Sequence, residues 1–592
     1  MKRFLYLLTL CLLSGSLHAQ QGAVLPPVPS SSDDDVTAAE LKAHVSWLAS
    51  DALEGRGTGT PSIDLAAEYI AREFKRYGLK PAGDNGTYFQ TFDVITGIEM
   101  EEKSLSLTQE GNDLILESGE FMPYTFSASG EFRGKIVFAK YGITDPSGTQ
   151  DDYAGLDVKG CVVLVRSGYP ESADPHGSIP MLSSARAKAL SAREHGAVAL
   201  MIIHQDVDEV RKFQYDRSPS DAGIAVGKIQ LELARMILDM ARIGGSVLDG
   251  GEPQPPTEGP TVELRGNFKV SLVRKNTRNV VGMVEGEDTD DCFVVGAHYD
   301  HLGWGQEGSL YRGEEPMVHN GADDNASGTA GMMELAQWYA NKPARHAMLF
   351  MAFSGEEMGL LGSAHWAEHP TVPIEKVRSM FNLDMIGRLP DSTRRLNVQG
   401  IGTSPVWKEI VEKENDSEKF NLALIEDGQG SSDHSSFYTK GIPVLFFFTG
   451  LHTDYHRPSD DTEKIDFTGE EQVTRYIAEI INDADALPEV PFTKVVKKDD
   501  EKVARFNVYV GTIPDYSENE HGFRITGTSP GSPADKAGMK EGDIITKFGE
   551  TEVRNIYDYM TALSRHQPGD EVPVIVLRGE EKVTVKVALV SK

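Results

Sequence analysis

From about residue 265 to 488 the chain alternates runs that are apolar almost throughout with stretches of helical spacing: NVVGMVEG, CFVVGA, a helix from about Asn325 to Ala340, HAMLFMAF, SMFNLDMI and GIPVLFFFT. A strand with one face in water is polar at every second position. Runs that lack this alternation are buried on both faces, and connecting helices are what cover them. The region therefore predicts an α/β domain with a mixed, mostly parallel sheet covered by helices on both faces. In open sheets of this kind ligands bind beyond the carboxyl ends of the strands.

The residues that fall at those ends carry metal chemistry. CFVVGA runs into His298, with Asp300 two residues on; HAMLFMAF leads into Ser354-Gly355-Glu356-Glu357; SMFNLDMI carries Asp384 near its end. GIPVLFFFT enters a loop with His452, Asp454 and His456, and GADDNASG places Asp323 before a helix, where backbone N–H groups lack partners. A set of histidines and carboxylates without thiolates suits zinc first among the divalent metals. One carboxylate with two free oxygens can bridge two metals about 3.5–4 Å apart, as in two-metal hydrolases. The adjacent pair Glu356-Glu357 can then divide labour, one carboxylate ligating while the other moves the proton of the attacking water to the leaving amine. Asp300 is placed to orient the His298 imidazole. Singly, each feature has an ordinary structural explanation, such as a helix cap for Asp-Asp-Asn. Their joint occurrence along one sheet edge carries the inference.

The rest of the chain is modular. The 592 residues exceed what one core serves, so two to four domains are expected. The start, MKRFLYLLTLCLLSGSLHA, has two basic residues, an apolar run and a small-residue end at Ala19, which is the form of a secretory signal peptide (1–19) and implies a periplasmic or extracellular protein. A Pro-, Ser- and Asp-rich flexible stretch follows (20–35). Helices open the first folded segment, 36–118, and the second of them ends at a glycine suited to a C-cap. Residues 119–262 change to short strands and turns, with a helix SSARAKALSAREHG feeding AVALMIIH, and predict a small inserted α/β module. Residues 263–490 complete the first domain, and 500–592 form a compact β-rich module. No segment beyond the leader is apolar enough to span a bilayer. A formal charge of -32 excludes phosphate-led nucleic-acid binding. Cys161 and Cys292 lie in apolar strand-like segments and read as buried thiols.

The blocks GAHYDH, NGADDNASG, FSGEEMGLLGS, NLDMIG and YHRPSDDT, in this order, closely resemble the motif set of the M28 zinc aminopeptidases. The resemblance implies the zinc-exopeptidase fold, peptide substrates and two Zn2+ ions. By motif position it implies that His298 and Asp384 hold one zinc and Glu357 and His456 the other, with Asp323 bridging, Glu356 as general base and Asp300 in support. SSDHSSF, with Asp433 and His434, is similar to a further block near the substrate. The inserted module resembles a protease-associated domain. HGFRITGTSPGSPADKAGMKEGDIITKFGE resembles a bacterial PDZ domain, which implies a peptide or protein ligand, although Gly522-Phe523 is all that TIPDYSENEHGF offers as a carboxylate loop.

Three other readings stand beside the aminopeptidase. A carboxypeptidase or dipeptidase of the same fold would use the same ligands and differ in carrying an Arg or Lys clamp for a carboxylate, where an aminopeptidase has acidic or carbonyl groups for an ammonium. A glutaminyl cyclase is disfavoured by the complete two-metal set. A non-catalytic binding protein on a peptidase scaffold would be expected to have lost ligands or the base, and all six are present.

Overall fold

The computed structural model describes residues 35–592 except 146–147, 174–177, 214–220, 251–260, 306, 314, 416–418, 496–507, 515–520, 530 and 592. The expected leader and the Pro-rich stretch before residue 262 lie outside the described residues.

Two helices open the fold, α1 (Ala38–Leu48) and α2 (Pro61–Tyr77). Thr37 caps α1 by accepting from Glu40 N–H while its hydroxyl donates to the Glu40 carboxylate, which satisfies groups the helix start leaves open. Helix α2 ends at Gly78 in the left-handed region (φ 91°), as its sequence predicts. Two long strands follow in the chain, β1 (Phe89–Gln109) and β2 (Val262–Val284), paired antiparallel from Phe89–Val280 to Gln109–Val262.

The catalytic sheet adds β3 (Asp288–His298), β4 (His346–Phe353), β5 (Val377–Leu383), β6 (Arg395–Gln399), β7 (Asn421–Ile425) and β8 (Val444–Phe448) to the C-terminal half of β2. The spatial order is β7-β6-β8-β5-β3-β4-β2. The β3–β4, β3–β5, β5–β8 and β6–β7 pairs are parallel; β2–β4 and β6–β8 are antiparallel. The sheet is mixed and mostly parallel, as expected. Successive residues feed opposite cores. Phe293, Val295 and Ala297 of β3 join Met348, Phe350 and Ala352 of β4 under α1, α2, α3 (Gly328–Asn341) and α6 (Phe467–Ala486). Cys292 and Val294 join Leu349, Met351 and Phe353 under α4 (Leu361–Glu368) and α5 (His434–Thr439). Each fully buried large aliphatic or aromatic side chain in these layers contributes about 1.5–3 kcal/mol. Cys161 and Cys292 are free and buried.

The inserted module has its own parallel sheet of Gly130–Phe138, Val162–Arg166, Ala199–His204 and Ala225–Gln230, with Phe121–Pro123 antiparallel at the edge. The N-terminal half of β2 pairs with Gly130–Phe138, so the same two long strands serve both modules. The boundary expected at 119 falls in the turn before Phe121–Pro123 and that at 262 at the start of β2, while the two long strands run on from one module into the other. This was hidden because β1 and β2 keep strand-like alternation through bulges at Ile95/Gly97 and Met100/Glu102.

The C-terminal module has strands Thr512–Pro514, Phe523–Thr528, Ile544–Phe548, Glu571–Arg578 and Glu581–Ala588 in that spatial order, with a helix Ile556–Ser564. Phe523–Thr528 is flanked on both sides, and a Cβ on Gly522 would stand 2.4 Å from Ile545 O. Gly522-Phe523 is thus packed into the sheet, and among the described residues the unpaired edge beside the helix belongs to Thr512–Pro514, whose Thr512 hydroxyl bonds Tyr559. The module docks on the inserted one: Arg193 bonds Asp558 (2.9 Å) and Glu552 O, and Arg565 bonds Glu194.

Candidate metal centre and active site

Each strand end delivers its group to one edge of the sheet. His298 is the last residue of β3, Asp384 follows β5, and Glu356-Glu357 occupy the turn after β4, where Gly355 has φ 75°. His456, with φ 54°, comes from the loop after β8. Asp323 and Asp324 lie in the turn that leads into α3. That turn packs so closely on β5 that a Cβ on Gly328 would stand 2.3 Å from Leu383 O.

Two sets of donor atoms result, joined through Asp324. His298 Nε2 is 3.4 Å from Asp324 Oδ1 and 3.4 Å from Asp384 Oδ1. His456 Nε2 is 3.3 Å from Asp324 Oδ2 and 3.3 Å from Glu357 Oε2. Donors placed tetrahedrally around zinc at about 2.0–2.1 Å stand about 3.3–3.4 Å apart. The separations match that spacing and exceed ordinary hydrogen bonds, so the residues fit a pair of ions. Around the same two places gather His298, Glu356 and Asp384 on one side and His301, Asp324 and Glu357 on the other.

This geometry corrects one assignment. Asp324, not Asp323, stands between the histidines. The Asp323 carboxylate is turned away: Oδ1 accepts from Gly387 N–H (2.7 Å) and Ser327 Oγ (3.0 Å), and Oδ2 lies 3.2 Å from His452 Nε2. The physical cause is in the backbone. Asp460 Oδ2 accepts from both Asp323 and Asp324 N–H groups, and Asn325 Oδ1 accepts from Gly328 and Met385 N–H, which fixes the turn. The sequence offers two adjacent aspartates at one turn and no signal for which faces inward.

Asp300 acts differently from expectation. Its backbone oxygen, 3.1 Å from His298 Nδ1, lies closer to the imidazole than its carboxylate does at 3.7 Å. The carboxylate instead accepts from the N–H groups of Glu356 (3.1 Å) and Glu357 (3.3 Å) and from the Thr58 hydroxyl (2.9 Å), fixing the turn that presents both glutamates.

The two glutamates are driven apart electrically. Burial, helped by Asp384, Glu357 and Asp433 and opposed by His298, holds the Glu356 carboxyl well above its usual range. Burial also works against the Glu357 charge, but hydrogen bonds and charge from His301 and His456 pull it well below. Glu356 Oε2 stands 4.0 Å from His298 Nε2, outside the tetrahedral spacing. Neighbouring carboxyls whose proton affinities are pushed in opposite directions are the pattern of an acid–base group beside a ligand.

Several participants had no strong sequence signal. His301 is fully buried and 2.8 Å from Glu357 Oε1. Ser432 donates to Asp384 Oδ2 (2.7 Å) and accepts from Asn382, so SSDHSSF reaches the centre through its serine. Asp433 is buried, and that burial pushes its carboxyl up to about 7. His434 stacks on Phe446 at 4.5 Å and is pushed down to about 3 by burial. Arg56 is fully buried and donates to Leu48, Tyr299, Asn320 and Gly321 carbonyls, tying the first helices to the loops behind His298 and Asp324.

Residues 279–481 match Peptidase family M28, and residues 514–589 match the PDZ domain. Aminopeptidase YwaD of Bacillus subtilis is 25% identical over 492 residues, covering 78% of this chain and 90% of that protein. A probable zinc metalloprotease of Pyrenophora tritici-repentis is 36% identical over 127 residues, 21% of this chain and 28% of that protein. Among solved structures, the aminopeptidase from Aneurinibacillus sp. strain AM-1 aligns over 78% of this chain and 97% of its own at 22% identity, with a TM-score of 0.46. The chain therefore carries a peptidase domain of family M28 followed by a C-terminal PDZ domain, and it is an enzyme of the metallo-exopeptidase class.

Proposed function

We propose that the protein is an exported aminopeptidase that works with two zinc ions, His298, Asp384 and Asp324 holding one and His456, Glu357 and Asp324 the other. The observation that carries this reading is the pair of three-donor sets sharing one carboxylate, with Glu356 beside them. Bound zinc supplies Lewis acidity toward a peptide carbonyl and makes water acidic enough to be deprotonated near neutral pH.

The chain's own residues do the rest. Glu356, kept basic by burial and unligated, accepts a proton from the attacking water and returns it to the leaving amide nitrogen. Asp300 keeps the Glu356 and Glu357 backbone in place while this happens.

The groups around the centre favour an amino-terminal substrate. Six carboxyl groups, Asp300, Asp324, Glu356, Glu357, Asp384 and Asp433, surround the centre and offer oxygen acceptors suited to an ammonium. A carboxypeptidase needs a free cation for the substrate's terminus. Arg56 is engaged with four carbonyls, whereas Arg388 bonds Asp454 (3.3 Å) through Nη2 and its buried Nη1 has no partner among the described residues, so Arg388 is the residue to test for such a clamp.

Export rests on the N-terminal sequence. The inserted module is read as a protease-associated domain that narrows access, and the PDZ module as a peptide binder at the Thr512–Pro514 edge. The test of the mechanism is Glu356→Gln with zinc content measured alongside activity. Turnover should fall about 10²–10⁴-fold with zinc retained; near-native turnover in that variant removes Glu356 from the role.

A further inference from the structure

Each terminal carboxylate of the centre has one oxygen forward and one behind. Asp384 presents Oδ1 to His298, and its Oδ2 is held by the Ser432 hydroxyl, itself fixed by Asn382. Glu357 presents Oε2 to His456, and its Oε1 is held by His301 Nδ1 at 2.8 Å. We propose that His301 is a positioning residue of the second metal centre: its Nδ1–H grips the rear oxygen of Glu357 so that Oε2 faces His456 and Asp324. The proposal rests on the two-zinc reading.

The distances separate gripping from ligating. A 2.8 Å contact is a charge-assisted hydrogen bond, whereas two ligands of one tetrahedral zinc stand about 3.3–3.4 Å apart. His301 Nδ1 also lies 3.8 Å from Asp324 Oδ2, beyond that spacing on the other side. The contact thus fits a donor behind Glu357.

The ring is built in place. Its side chain has no exposed surface, its N–H donates to Arg56 O (3.2 Å), and its backbone bridges to Gly57. Across the ring, a Cβ on Gly321 would stand 2.5 Å from His301 Cδ2, so only glycine leaves room. His456 closes the remaining side with ring centres 5.9 Å apart. The other nitrogen, Nε2, is buried with no hydrogen-bond partner among the described residues. A buried polar atom left unpaired costs about 1–3 kcal/mol. The fold tolerates this while satisfying the nitrogen turned toward Glu357, as expected if holding that carboxylate is the histidine's task.

The experiment measures zinc binding by the full chain in competition with a chromophoric chelator, for wild type, His301→Ala and His301→Asn. Asparagine places an amide N–H where Nδ1 stood. Wild type should bind two equivalents. His301→Ala should weaken the second equivalent about 10–100-fold and leave the first unchanged, the range seen when a group supporting a ligand is removed. His301→Asn should recover most of the loss. An unchanged second equivalent in His301→Ala overturns the proposal, as does a His301→Asn as weak as His301→Ala, which would make the ring itself the ligand. A wild-type chain that binds a single equivalent overturns the two-zinc reading and this proposal with it. Two equivalents in wild type with no effect of His301→Ala overturn the proposal alone.

Discussion

Replacing Asp324 by alanine separates the bridge in this structure from the neighbouring aspartate. Asp324 gives one oxygen to each donor set, so its loss leaves His298 and Asp384 at one centre and His456 and Glu357 at the other. The Asp323 carboxylate meets Gly387, Ser327 and His452, which places it among groups that support ligands. Removing such support costs about 10–100-fold in metal affinity, or about 1.4–2.8 kcal/mol at 1.4 kcal/mol per decade. Removing a ligand from both centres costs at least that much at each, so Asp324→Ala should weaken the pair about 10²–10⁴-fold overall. The assay is zinc per chain after equilibration against chelator-buffered free zinc. Between the two affinities Asp323→Ala should still hold two equivalents where Asp324→Ala holds none. A thermal melt without metal guards against misfolding. Two equivalents retained by Asp324→Ala, with loss in Asp323→Ala, would refute the bridging assignment.

Arg193 and Asp558, 14% and 7% exposed, join the inserted and PDZ modules, so Arg193→Ala should leave a buried carboxylate short of a partner and loosen the docking by about 1–3 kcal/mol, read as faster proteolysis between the modules. The double variant Arg193→Ala/Asp558→Ala should regain part of that loss, and strict additivity would count against the pair. Lys188 donates to Arg166 and Gly168 carbonyls, and burial pushes its amine down to about 7 from 10.5. Its folded pKa is depressed, so between pH 7 and 10.5 the unfolded chain binds a proton that the folded chain does not, and stability rises with pH across that window. Relative to Lys188→Met, the wild type should gain up to about 1.4 kcal/mol per pH unit there in denaturant titrations; parallel pH profiles would show that Lys188 is charged in the fold.

The sheet was legible in the sequence because β4 and β5 are buried on both faces, so their apolar runs lack alternation and their ends are sharp. Sharp ends are also why His298, Glu357, Asp384 and His456 could be singled out by position. Asp324 could not be distinguished from Asp323, because which of two adjacent side chains faces inward depends on a turn held by Asp460, more than a hundred residues away in the chain. His301 was hidden for a similar reason: its contact with Glu357 is made across two strands, and HYDH alone says nothing about depth. Gly522-Phe523 misled because sequence shows the glycine and not the strand packed over it.

The measurement closest to the central claim is hydrolysis of matched peptides, one with a blocked N-terminus and one with a blocked C-terminus, by zinc-loaded and chelator-stripped enzyme. The account predicts stepwise release from the peptide whose N-terminus is free, none from the N-blocked peptide, and none after stripping until zinc is restored. Cleavage that depends on a free C-terminus, or that survives complete removal of metal, would contradict it.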